Sequence, residues 1–202
     1  ARAQVALGRD NDARRTLAEV LKLRSGWPPA VEILAMIDVR EGRVDDALKR
    51  IEALRAADVG GPLVDEMLGD VQARANRWSD ADRTYARATA AAPSARLALK
   101  RYAVRRDGRL GKVAEPLEAW LAVDPRDLAV RRALAESHLG GGRLEEAVAE
   151  FERVLAAAPR DPVALNNLAW VYHRKGDARA LETARRAFDL APAVPEIADT
   201  YG

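Results

Sequence analysis

A short pattern returns along this chain at a nearly fixed interval, and that period constrains the fold more than any other feature. It reads Gly, two or three polar or mixed residues, an acidic residue, then Ala. It stands at Gly8 to Ala13, Gly42 to Ala47 and Gly142 to Ala147, and with Asn in place of Gly at Asn76 to Ala81. Gly108 to Val113 is a weaker copy, and Gly176 to Ala180 is one residue short. The first five copies end at 13, 47, 81, 113 and 147, so the spacings are 34, 34, 32 and 34. From the third copy onward a proline stands twelve residues later, at Pro93, Pro125, Pro159 and Pro192. A period of about 20–50 residues marks a stacked array, in which no unit can bury its apolar face alone.

Between these marks the residues are helix formers. Ala takes 42 of 202 positions, and Leu, Glu and Arg fill much of the rest. Apolar or packing positions recur at three and four: Leu128, Leu134, His138 and Leu139 in one segment, Val148, Phe151, Val154 and Leu155 in the next. Asp161 before Pro162 predicts a helix start, a capping side chain followed by proline at the first helical position. Ser79 with Asp82 predicts a capping box. Glycines 42, 108, 142 and 176 are expected to end one helix and admit the turn into the next. There is no convincing strand.

Two helices and a tight turn in 34 residues resemble the tetratricopeptide repeat. The matching residues are Leu68, Gly69, Ala81, Tyr85, Ala88 and Pro93 in one repeat, and Leu134, Gly142, Ala147, Phe151 and Pro159 in another. Leu168, Tyr172, Gly176, Ala180, Ala187 and Pro192 carry it in a third. The resemblance covers the chain and implies an all-α, right-handed superhelical solenoid of antiparallel helix pairs. One array is expected over 1–202: a partial repeat at 1–27, full repeats at 28–61, 62–93, 94–127, 128–161 and 162–194, and the start of another at 195–202. Both ends then fall inside a repeat, as in a piece cut from a longer array.

By the same resemblance, Ala47, Ala81, Ala147 and Ala180 sit where the paired helices approach most closely. Ile51, Tyr85, Leu117 and Phe151 fill the space between successive pairs. The third full repeat is irregular: Val113 replaces the small residue, and Pro116 is expected to distort the start of its second helix.

Catalytic chemistry finds little support. The chain lacks cysteine, which excludes disulfides, thiol catalysis and cysteine-ligated metals. Phosphate-binding loops, zinc-protease helices and nucleophile elbows are missing from the sequence. The paired acids Asp45-Asp46 and Glu145-Glu146 read as helix-start residues favoured by the dipole. His138 and His173 could form part of a metal site, but His138 falls at a packing position and His173 faces solvent or the groove. No enzyme activity, cofactor or metal is expected. Basic and acidic residues number 33 and 31, a balance that calls for neither nucleic acid nor an anionic membrane. No run of 18 apolar residues spans a bilayer.

The resemblance puts the first helix of each pair along a concave groove. Its last groove-facing position is arginine in four of five repeats: Arg40, Arg74, Arg106 and Arg174. Arg105 adds to a locally basic third repeat, and Arg132 lies on the groove side of the fourth. Arginine grips carboxylates bidentately, and Tyr102 and Trp170 would serve as aromatic anchors. The competing reading is that these arginines are solvated residues complementing helix C-termini. Asn166 could hold a peptide backbone through its donor and acceptor. Glu32 and Glu66 stand where the Lys/Asn clamp of chaperone-tail-binding members needs bases, which argues against that ligand.

Residues 165–202 carry a narrower likeness. The run Leu165 to Trp170, the shortened turn from Gly176, and the closing Asp199 to Gly202 resemble bacterial envelope-associated repeat proteins, such as the repeat lipoprotein of PEP-CTERM/exosortase systems. This implies an exopolysaccharide or cell-envelope setting, with periplasm or envelope favoured over cytoplasm. The expected function is a non-catalytic scaffold that binds a protein or peptide segment, of acidic character, in its groove. Two alternatives stay open: a spacer or oligomerisation module that associates with itself, and a direct binder of an anionic polysaccharide.

Overall fold

The computed structural model describes residues 1–201, and every regular element among them is an α-helix. The chain divides into two compact units, Ala1–Gly111 and from Lys112 onward. The first holds α1 (Arg2–Ala6), α2 (Asp10–Leu23), α3 (Pro28–Arg40), α4 (Val44–Ala56), α5 (Pro62–Arg74), α6 (Trp78–Ala91) and α7 (Ala95–Asp107). The second holds α8 (Glu115–Val123), α9 (Leu128–Gly140), α10 (Leu144–Ala157), α11 (Pro162–Lys175), α12 (Ala180–Leu190) and α13 (Pro195–Tyr201). Within each unit a helix packs chiefly on its chain neighbours, while α3 also touches α5, and α11 also touches α9 and α13. This is the packing of a helical solenoid, in which alternate helices line one face.

The helix ends follow local chemistry. Asp161 caps α11 by accepting from the Val163 and Ala164 amides at 3.0 Å, with Pro162 in the first turn. Asp127 caps α9 and Ser94 caps α7 in the same manner. Ser79 does not cap: α6 begins one residue earlier at Trp78, so Ser79 lies inside the first turn. Its supposed capping partner Asp82 is instead held by Arg101 and Arg105 of α7, each at 3.0 Å. Of the four glycines expected to end a helix, Gly42, Gly142 and Gly176 take the left-handed region, as does Gly8 in the first copy, with Asn76 in the equivalent place. Gly108 departs from that expectation. Its φ is −80°, and Arg109 takes the left-handed conformation instead. Gly108 is needed for space, since a Cβ there would lie 2.4 Å from the Trp78 Cβ. Helix α8 starts at Glu115, which puts Pro116 in the first turn, where a missing N–H costs nothing.

The small and large packing residues take their expected places. Ala47, Ala81 and Ala147 are fully buried, and Ile51, Tyr85, Leu117 and Phe151 are buried between helices. Ala180 is half-buried, packed against the α10–α11 core. Gly69 lets the Tyr85 ring close on α5: an added Cβ would meet it at 2.5 Å. Several polar side chains lie inside, among them Asp38 and His138. Asp38 is 1% exposed and is met by Arg14, Arg43 and Arg50. His138 is buried on α9, and its Nδ1 has no hydrogen-bond partner.

Candidate partner-binding site

The nine residues singled out on the first helices are divided between the two units and differ in what holds them. In the first unit Arg40 reaches back to Asp10 at 2.5 Å. The Arg105 Nε donates to Asp82 at 3.0 Å, and its side chain is 11% exposed. Arg106 donates to Asp107 at 2.8 Å and lies 5.6 Å above the Tyr102 ring. Tyr102 itself is buried, so it forms floor rather than anchor. Arg74 is exposed, and its charge acts on the buried Tyr85 phenol against those of Asp70 and Glu66.

The same face carries an ionic cluster. Lys100 Nζ lies 2.7 Å from Glu66 and 2.6 Å from Asp70, and Arg96 adds a 2.7 Å contact to Glu66. The Tyr85 hydroxyl donates to Asp70 at 2.6 Å. Burial, and then the Asp70 carboxylate, push the Tyr85 phenol far above its ordinary value, so it stays a donor. These acids are satisfied within the fold.

In the second unit Arg132 donates to Asp161 at 3.0 Å, bracing the α11 cap. Asn166 is half-buried, and its side-chain oxygen is shielded without a hydrogen-bond partner. Trp170 is 42% exposed. The Arg174 guanidinium lies 5.0 Å from the Trp170 ring centroid, a cation–π contact, with no carboxylate partner among the described residues. Trp170 opens onto a cleft of about 380 Å³. Ala169, Trp170 and His173 of α11 form one wall, Ala180, Leu181 and Ala184 of α12 the other, and Asp199 and Thr200 of α13 one end. The structure therefore joins Trp170 with Arg174, and Tyr102 with Arg106, while Arg40, Arg105 and Arg132 are engaged by acids.

Leu181 and Ala184 escaped the sequence reading, which followed first helices alone. The available signal was Leu181 itself, a large aliphatic residue beside the turn alanine. Among the described residues no group of three or more His, Asp or Glu side chains is placed to hold a metal ion. No described helix is long and apolar enough to cross a membrane.

Fold and site together define a helical-repeat solenoid with an aromatic, partly open cleft. One tetratricopeptide-repeat model matches residues 34–96 and a second matches residues 105–171. The chain belongs to the tetratricopeptide-repeat family and is a protein–protein interaction scaffold. Solved structures agree on the fold. YrrB, described as a TPR protein with an unusual peptide-binding site, is 18% identical with a TM-score of 0.64, over 91% of this chain and 96% of that one. A tetratricopeptide repeat protein from Parabacteroides merdae ATCC 43184 is 16% identical with a TM-score of 0.69, over 97% and 79%. MamA from Desulfovibrio magneticus RS-1 is 18% identical with a TM-score of 0.64, over 81% and 94%. No curated protein matches the sequence significantly.

Proposed function

We propose that this scaffold is non-catalytic and binds a segment of a partner protein along the face of its first helices, with Trp170 and Arg174 as the anchor. The observation that carries this reading is the exposed Trp170 ring with its stacked Arg174, beside an open cleft. Tryptophan and arginine concentrate binding energy at protein interfaces because each offers broad contact area together with hydrogen bonding. YrrB, a protein of the same fold, is described as having a peptide-binding site, which supports a peptide as the kind of ligand. Beside Trp170, Arg174 is the cation placed to meet a partner carboxylate.

A polysaccharide reading would need the arginine column as a continuous positive strip. Arg40, Arg105, Arg106 and Arg132 are already neutralised by acids, which favours the protein partner. The test compares partner capture from the source organism by the parent chain and by a Trp170→Ala/Arg174→Glu variant, both checked for helicity. A partner held by the parent and lost by the variant is expected. Identical partners on both would remove the anchor assignment, and steep salt dependence with any anionic polymer would favour the polysaccharide. The proposed setting, a bacterial envelope or exopolysaccharide assembly, rests on the likeness of residues 165–202 alone and is checked by cell fractionation.

A further inference from the structure

A second cleft, of about 400 Å³, opens between α2, α3 and α4 in the first unit, whereas Trp170 and Arg174 belong to the second. It lies within the array, with α1 before it and α5 to α7 after it. Leu21 of α2, Val31 of α3, Leu54 of α4 and Val59 of the turn after α4 form its apolar wall. Val31 and Leu54 are buried members of one core cluster, and Leu21 and Val59 pack against it. Arg50 and Ala53 of α4 add to the lining.

At the equivalent places of two other repeats an ion pair joins the two helices. Asp65 of α5 and Arg87 of α6 stand 34 positions after Val31 and Ala53, and pair at 2.9 Å. Arg131 of α9 and Glu150 of α10 stand 100 positions after Val31 and Arg50, and pair at 2.7 Å. Arg153, at the place of Ala53, also meets Glu150. In the α3–α4 repeat Val31 and Ala53 stand there instead, and Arg50 is the charged member of the three. Arg50 turns to Asp38, with Nε at 3.2 Å and Nη2 at 3.1 Å. That carboxylate is shared with Arg14 and Arg43, which both also meet Glu41. Three guanidiniums thus face two carboxylates, so one positive charge is in surplus beside an apolar cleft.

We infer that this cleft binds an aliphatic monocarboxylate, a medium-chain fatty acid, with its tail on the apolar wall and its carboxylate on Arg50. The ligand carboxylate takes the part toward Arg50 that Asp65 takes toward Arg87. The volume falls in the range of small-molecule sites, about 300–1,000 Å³, which are apolar with a few placed polar groups. Arg50 keeps 35% of its side chain exposed, so its guanidinium is open to an incoming anion. Arg50 and Ser25 are the polar side chains of the lining, too few to meet the backbone amides of a bound segment. That favours a free acid over a protein segment.

The probe is decanoate, titrated against the intact chain by isothermal titration calorimetry below its micelle threshold. Saturable binding is expected, about tenfold or more tighter than that of decanol, which lacks the charge, or of acetate, which lacks the tail. Ala53→Trp fills the cleft from an exposed position and should abolish binding. Arg50→Gln should weaken decanoate about tenfold and leave decanol unchanged, and Arg50→Lys should restore decanoate. Arg14 and Arg43 still hold Asp38 in both Arg50 variants, and circular dichroism checks every fold. No saturable binding, equal affinities for decanoate and decanol, or decanoate binding that survives Ala53→Trp overturns the inference. Preference for a short peptide with glutamate between leucines over decanoate also overturns it, and makes the occupant a protein segment.

Discussion

Arg14 of α2 places a guanidinium nitrogen 2.6 Å from the Asp38 carboxylate of α3, across the join between successive repeats. Arg50 of α4 approaches the same carboxylate at 3.1 Å and Arg43 at 3.3 Å. One buried acid thus ties together three helices. Asp38→Ala is expected to cost about 2–3 kcal/mol, the range for hydrogen bonds to charged groups, read by urea denaturation. Burial alone would raise the Asp38 carboxyl, but Arg14 and Arg50 outweigh it and hold it below the usual carboxylate range. Its contribution is therefore present above the unfolded value, about 3.9, and is lost as pH falls through the lower folded value. Asp38→Asn should flatten that acid limb.

Gly69 and Tyr85 make a second junction. Adding a methyl at Gly69 drives it into the Tyr85 ring, which is buried and tied to Asp70. Gly69→Ala is expected to destabilise by about 1–3 kcal/mol, the usual cost of overpacking. In a Tyr85→Leu background the same substitution should cost less, and a double-mutant cycle by denaturation measures the difference.

His138 should make the second unit acid-sensitive. Burial comes first and the nearby Arg143 second in pushing its pKa down, against Glu146, Glu150 and Glu118. A histidine with a lowered folded value is neutral in the fold and takes a proton on unfolding. Stability is then full above the unfolded value, about 6.5, and declines as pH falls from there toward the folded value. Denaturation midpoints between about pH 7.5 and about pH 5.5, one unit either side of that value, should fall in the parent and stay level in His138→Phe.

The arginines of the first helices should separate into two classes. Arg105→Glu turns an 11%-exposed cation into an acid facing Asp82, so a loss of about 3 kcal/mol or more is expected. Arg174→Glu, whose contact is with the Trp170 ring, should stay within about 0.5 kcal/mol in thermal melts. Equal losses for Arg105→Glu and Arg174→Glu would contradict the placement of Arg105.

Much of the fold was legible because its determinants are local or periodic. The turn glycines, the Asp161-Pro162 start and the alanines at closest approach act within a few residues or one period. Ser79 and Gly108 show the limit. Each has the right residue type for its expected role, but Asp82 is claimed by Arg101 and Arg105, nineteen and twenty-three positions away, and Gly108 is required by the Trp78 side chain. The candidate site was less legible. Trp170 and Arg174 could be named from their positions, whereas Tyr102, named on the same grounds, is buried.

The sequence by itself determined the period, the helical pairing and the membership of the repeat family, because a 34-residue unit with small and large residues at set positions can bury its apolar surface only by stacking. The tertiary structure alone decided which polar groups remain available. Arg40, Arg74, Arg106 and Arg174 occupy the same place in their repeats, yet Arg40 is paired to Asp10, Arg106 to Asp107, and Arg174 lies over Trp170. The physical reason is that a charge pairs with whatever the folded chain leaves within reach: for Arg40 that is Asp10 of another helix, thirty positions away, whereas Arg106 and Arg174, with no such acid brought to them, settle on side chains of their own helices.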